Sequence, residues 1–174
     1  MHVTIATDAD LEAVAALVNS GYRGESSRAG WTTEADFLGG QRTDADALRA
    51  DLAARSGAVL LTLRDEPGGE LMGSVWLERQ ASDVWYLGML TVRPDVQARQ
   101  LGRTLLAEAE AYAASRGARR MRMSVITLRD SLIAWYERRG YARTGDALPF
   151  PYGDERFGIP LRGDLRFEVL EKAL

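Results

Sequence analysis

The stretch VRPDVQARQLGRTLLAEAEAYAASRG, residues 92–117, constrains the fold more than any other part of the chain. It leads from an apolar strand pattern, through a short polar turn, into a helix pattern with Leu101, Leu105, Leu106 and Ala109 on one face. A strand that feeds an amphipathic helix in this way needs a sheet for the helix to lie on, which points to a mixed α/β (α+β) fold. The turn itself is crowded with Gln97, Arg99, Gln100, Gly102, Arg103 and Thr104. The first turn of a helix holds backbone N–H groups without intrahelical partners and the positive end of the macrodipole. Such a turn suits an anion, and a pyrophosphate can accept from several of its donors at once. Gly102 lets the backbone come close to a phosphate, Arg99 and Arg103 add charge, and Thr104 offers a hydroxyl.

The rest of the chain alternates strands and helices around this segment. HVTIA reads as a strand, with Thr7 or Asp8 capping a helix whose Leu11, Val14, Leu17 and Val18 share a face. Residues 23–32 read as a loop. TEADFL and DADALRADLAARSG read as two short helices, led by capping-box pairs Thr33 with Asp36 and Thr43 with Asp46. Strands are expected at AVLLTLR, ELMGSVWLER and VWYLGMLTV, with DEPGGE as the hairpin turn between the first two. The long helix should end at Gly117 in the C′ position. A strand at RRMRMSVIT, a helix at DSLIAWYERRG and a strand at YARTGDAL follow, and a long loop precedes the last strand, DLRFEVLEKAL. No repeat or linker interrupts this order, so the 174 residues read as one domain.

Composition excludes several functions. The chain has no cysteine, which removes disulfides, thiolate metal sites and cysteine nucleophiles, and no metal site is expected. A net charge of -3 argues against nucleic acid as the main partner. No apolar run is long enough to span a bilayer, and the N-terminus shows no signal-peptide pattern. The default reading is a soluble cytoplasmic domain without a membrane partner; a homodimer stays open.

Two segments carry a resemblance. LGMLTVRPDVQARQLGRTLL resembles the strand-loop-helix of the GNAT superfamily of acyl-CoA-dependent N-acetyltransferases, whose consensus is Arg/Gln-x-x-Gly-x-Gly/Ala. LIAWYERRGYARTG resembles the late helix and strand of the same superfamily. The resemblance implies a central, mostly antiparallel sheet of about seven strands, splayed near its middle, with helices on both faces. It also implies acetyl-CoA as the acyl donor, held by Gln97, Ala98, Arg99, Gln100, Leu101, Gly102, Arg103 and Thr104, with Arg129 reaching the same molecule or only decorating a helix start. Gln100 stands where the family has its middle glycine, and glutamine adopts positive φ less cheaply. Gly88, within an apolar strand, marks a bulge or close backbone approach. The resemblance implies that backbone groups of Leu90 and Val92 pair with pantetheine amides, and that an N–H near Leu90 polarises the thioester carbonyl.

Tyr136 takes the position of the family's general acid, able to protonate a departing thiolate; Trp135 beside it is expected to pack in the core. The strand VWYLGML offers no carboxylate to serve as a base, and His2, the single histidine, sits near the terminus. Glu34 is the candidate to hold or deprotonate the acceptor amine, or else a first-turn acid complementing a helix dipole. Arg28, Trp31, Tyr152 and Arg156, with Arg42, Phe150 and Phe157, would give the acceptor site aromatic and arginine-bearing walls. Arginine binds carboxylate bidentately, so an amino acid or related metabolite suits such walls. Three functions follow: acetyl transfer to a small-molecule amine, acetyl transfer to a protein or peptide amine, or acyl-CoA sensing without turnover.

Overall fold

The computed structural model describes every residue except Ala98, so that one expected cofactor residue lies outside the described residues. Seven strands form one sheet in the order β1 (His2–Ile5), β3 (Val59–Arg64), β4 (Leu71–Arg79), β5 (Val84–Val92), β6 (Arg120–Ile126), β9 (Arg166–Ala173) and β7 (Ala142–Pro149). Every neighbouring pair is antiparallel except β5 with β6. Two short strands, β2 (Leu38–Gly39) and β8 (Ile159–Pro160), pair with each other in a second sheet.

Four helices, α1 (Leu11–Tyr22), α2 (Ala45–Ala54), α3 (Leu101–Ala114) and α4 (Asp130–Glu137), cover the sheet. Successive side chains of a strand face opposite ways, and β4 shows the consequence. Val75 and Leu77 join one core with Leu105 and Leu106 of α3 and Ile133 of α4. Trp76, between them, joins the other core with Leu11 and Val14 of α1 and Leu48 of α2. Both α3 and α4 end as their glycines require. Gly117 and Gly140 take φ of 89° and 91°, and Ala118 and Tyr141 N–H return to Ala113 and Tyr136 C=O at 3.1 and 3.2 Å.

Two short-range expectations are corrected. Residues 33–38 make a single turn leading into β2, with no helix, because their polar groups bond elsewhere. The Thr33 hydroxyl accepts from Ala35 N–H and pairs with Ser27, while Asp36 pairs with Arg28. The cap of α2 is Asp44, whose carboxylate accepts from Ala47 N–H at 2.8 Å, so the Thr43–Asp46 box does not form. Within the late loop, a turn at Glu155–Phe157 precedes β8.

The sheet opens between its two parallel strands. β5 and β6 pair only at Val84–Tyr86 with Arg120–Arg122, although β5 continues to Val92 and β6 to Ile126. A bulge at the same place bends β5: Ser74 faces Thr91 and Trp76 faces Gly88, which leaves one extra residue on β5. Met89 there has φ 47°, one of two positive values among the described non-glycine residues. The bulge expected from Gly88 is therefore present, with the unusual φ at the next residue.

Candidate functional site

The turn between β5 and α3 is built around Gln100, the second described non-glycine residue with positive φ, at 60°. This left-handed residue is the N-cap of α3, and its side chain makes no capping bond. Arg103 and Thr104 N–H donate to Gln100 C=O at 3.0 and 3.2 Å, and no acidic residue lies in the first turn of the helix. The positive end of the helix is left without a protein anion. A Cβ at Gly102 would meet only ordinary contacts, 3.6 Å from the Trp135 ring and 3.7 Å from Val92. Packing therefore does not demand glycine, and the missing side chain leaves the turn open to the cleft beside it.

That cleft, about 220 Å³, is lined by Gln97, Gln100, Gly102 and Arg103 from the turn. Leu90 and Val92 of β5, Arg129 and Leu132, Trp135, Tyr136 and Arg139 of the α4 region, and Trp31 and Thr32 complete its lining, with Tyr22 from the end of α1. Arg99, Leu101 and Thr104 do not line it: Leu101 is buried in the core, while Arg99 and Thr104 are exposed nearby. Gln97 ties its two walls. Its amide donates to Val92 C=O at 3.1 Å and to the Thr32 hydroxyl at 2.9 Å, and it accepts from Trp31 N–H at 3.0 Å. Leu90 C=O accepts from the Tyr22 hydroxyl at 2.9 Å. Both carbonyls expected to meet pantetheine amides thus already have one protein donor, so an incoming amide must share or displace it.

A second cavity, about 330 Å³, lies on the other side of the opening between β5 and β6. Its lining includes the charged Arg23, Glu34, Arg42 and Arg129 and the apolar Leu38, Leu148, Phe150, Phe157 and Phe167. Tyr22, Leu90, Arg129, Leu132 and Tyr136 line both cavities. The Tyr136 ring is buried at 5% exposure, edge-on to Trp135 and Tyr141 at 4.9 and 5.6 Å. Its hydroxyl bonds to no described residue, and burial, with Tyr22 adding to it, pushes the phenol well above its ordinary value near 10. It holds its proton across the whole physiological range.

Glu34 is 8% exposed and sits between two guanidinium groups, 2.6 Å from Arg23 and 2.7 Å from Arg129. Burial alone would raise its pKa, but Arg129 and Arg23 outweigh that and hold it below the usual carboxylate value. A carboxylate stabilised in this way is a poor proton acceptor, so the geometry is against the expected duty of Glu34 as base. Nor does it complement a helix dipole, since no helix begins there. Arg129 also donates to Thr32 C=O, and it lines the second cavity with Glu34 as well as the cleft.

The remaining acceptor-side expectations meet a different placement. Arg28 pairs on the surface with Glu25 and Asp36, and Arg156 with Asp154; neither lines a cavity. Each finds a carboxylate in its own loop, which a sequence pattern does not exclude. The Tyr152 hydroxyl donates to Arg162 C=O and accepts from Leu165 N–H at 2.8 Å, which closes the late loop on itself outside both cavities. Trp31 lines the cleft on the turn side, 6.1 Å from Trp135, because Gln97 holds its backbone there. Trp135 is only partly buried; it faces the same cleft with Arg139 3.6 Å over its ring. Sequence reasoning missed Tyr22 and Arg23. Tyr22 continues the buried stripe of Leu11, Val14 and Val18 at helical spacing, the one signal that it points inward.

The sequence matches the model of the family described as Acetyltransferase (GNAT) family over residues 19–141. Among solved structures, a ribosomal-protein-alanine N-acetyltransferase from Brucella melitensis is 20% identical, covers 100% of both chains and has a TM-score of 0.72. An IAA acetyltransferase from Bacillus cereus is 15% identical, covering 99% of each chain with a TM-score of 0.65. A GNAT family acetyltransferase from Elizabethkingia anophelis, with acetyl-CoA bound, is 14% identical over 73% of this chain and 82% of its own, with a TM-score of 0.57. At these identities the likeness is one of fold. No curated protein sequence matches the chain. Among the described residues no helix is long and apolar enough to cross a membrane.

Proposed function

Because the chain belongs to the GNAT acetyltransferase family, we propose that it moves an acetyl group from acetyl-CoA directly to the primary amine of a small molecule. One observation carries the reading: Tyr136 presents a protonated, unpartnered hydroxyl between two cavities that share its lining, one at the α3 turn and one lined by Phe150, Phe157 and Phe167. Acetyl-CoA, when bound, supplies an activated acetyl thioester. The open turn at Gly102, the uncapped α3 start and Arg103 fit its pyrophosphate, and Leu90 and Val92 main-chain groups with Gln97 fit its amides.

Tyr136 would hold a proton on its phenol oxygen for the departing sulfur, and the bulge at Met89 interrupts the pairing of β5 with the neighbouring strand β4. Leu38, Phe150 and Phe157 around the second cavity suit a compact acceptor better than a peptide, which needs an open groove.

An acceptor screen tests the reading. The full chain, acetyl-CoA and a panel of small amines and peptides are followed by CoA release, against a blank without amine. Turnover confined to small amines supports it. Turnover confined to peptides points to the protein-amine reading, and CoA binding with no turnover on any acceptor points to a sensor.

A further inference from the structure

The second cavity has more cationic charge on its wall than its one carboxylate can neutralise. Arg23, Arg42 and Arg129 line it together with Glu34. Arg23 and Arg129 each give one Nη to Glu34; the other Nη groups go to Phe157 C=O and Thr32 C=O. What remains is telling. Arg23 Nε is buried without any partner, in a side chain with 3% exposure. Arg42 is half-buried, and among the described residues its guanidinium has no carboxylate partner and donates no hydrogen bond. It is also held in place. Asn19 accepts from Arg42 N–H at 2.6 Å and donates to Thr43 C=O at 2.7 Å, which fixes the backbone from which Arg42 reaches the cavity. Its charge is felt inside: burial first, and then Arg42, lower the pKa of Arg23 against the opposing pull of Glu34.

A buried cationic excess is costly unless an anion meets it. The free planar fork of Arg42 matches the two oxygens of a carboxylate. The same cavity is also lined by the apolar side chains of Leu38, Leu148, Phe150 and Phe157. Resting on the small-amine reading above, we propose that the acceptor is an amine that also carries a carboxylate and an apolar body, an apolar amino acid or a close analogue. Arg42 binds its carboxylate bidentately, the Glu34-braced Arg23 adds charge behind it, and the apolar lining takes the side chain. The amine is thereby left to face Tyr136 across the same cavity. Arg42 sets specificity; Glu34 is the counter-ion that lets two of the three arginines stay buried.

The test compares matched amines with the full chain and acetyl-CoA: leucine, leucinamide and 3-methylbutylamine, and phenylalanine, phenylalaninamide and 2-phenylethylamine. The acids should exceed their amides and decarboxylated partners roughly tenfold or more in kcat/KM, since a site built for a charged group rejects analogues that lack it. In Arg42→Gln that preference should collapse to about twofold or less, mainly through KM, and Arg42→Lys should restore part of it. Thermal melting of both variants checks that they fold.

A second measurement does not depend on turnover. Calorimetry with 4-methylpentanoate, which is leucine without its amine, should show binding to the parent that weakens roughly tenfold or more in Arg42→Gln. Equal rates on acids and amides, or an unchanged preference in Arg42→Gln, would overturn the proposal. If no small amine is acetylated, the functional reading fails. In that case 4-methylpentanoate binding that is lost in Arg42→Gln still upholds the anion site, and no binding to the parent overturns it.

Discussion

Replacing Glu34 by glutamine removes the only carboxylate between Arg23 and Arg129 while keeping the shape of the side chain. Glu34, Arg23 and Arg129 are 8%, 4% and 7% exposed, and both ion pairs are short, at 2.6 and 2.7 Å. Water can do little to screen the two guanidinium groups once the carboxylate is gone. Breaking a buried pair by removing one partner costs about 3–5 kcal/mol, because the other charge stays buried and uncompensated. For a domain of this size each kcal/mol moves Tm by about 2–4 °C, so Glu34→Gln should melt roughly 6–20 °C lower. The cost should also depend on pH. Since the folded carboxyl titrates below its ordinary value of 4.5, its contribution is full above that value and is lost as pH falls through the lower folded one. Urea unfolding of parent and variant at pH 7 and at pH 3 reads both effects, with a smaller difference expected at pH 3. A loss below about 1 kcal/mol at pH 7, the range of exposed pairs, would refute the reasoning.

Three other outcomes follow from the site. Gln100→Gly relieves a left-handed residue that costs about 1–2 kcal/mol when it carries a side chain, so its urea midpoint should stay level or rise; a loss of about 1 kcal/mol, as for glycine in a regular helix, would contradict the strain. Gly102→Asp puts a side chain and a negative charge at the open turn, and calorimetry should show CoA affinity falling roughly a hundredfold or more; unchanged affinity would remove the phosphate cradle. Because the Tyr136 phenol is held above 10, kcat/KM should rise with amine deprotonation and show no falling limb before about pH 10. A falling limb below pH 9 that vanishes in Tyr136→Phe would contradict that protonation state.

The strand, turn and helix proposed to hold the cofactor were legible in the sequence because they are local. The strand, turn and helix from Val84 to Ala114 are consecutive, and periodicity with one glycine located their buried face. Glutamine at position 100 left the tightness of the turn open, and its φ of 60° shows that the turn keeps the left-handed conformation a glycine would take more cheaply. The proposed acceptor side was not legible. Glu34 meets Arg129 across 95 positions and Arg23 meets Phe157 across 134, contacts that no short window contains. The first-turn pattern around Glu34 suggested a helix, yet Arg23 and Arg129 take its carboxylate and the chain turns into β2 instead. Arg28 and Arg156 looked equivalent to Arg42 as sequence. What separates them is that Arg28 and Arg156 each reach a carboxylate in their own loop, and Arg42 has none among the described residues.

The most direct test of the account is Tyr136→Phe. The substitution keeps the ring that packs against Trp135 and Tyr141 and removes only a hydroxyl that bonds to no described residue. Folding and CoA affinity should therefore hardly change. Turnover on a basic amine, measured by CoA release under conditions where chemistry limits the rate, should fall roughly a hundredfold or more, the contribution of a positioned general acid. A variant that runs within a few-fold of the parent would show that Tyr136 is a packing residue and that the departing sulfur takes its proton from elsewhere.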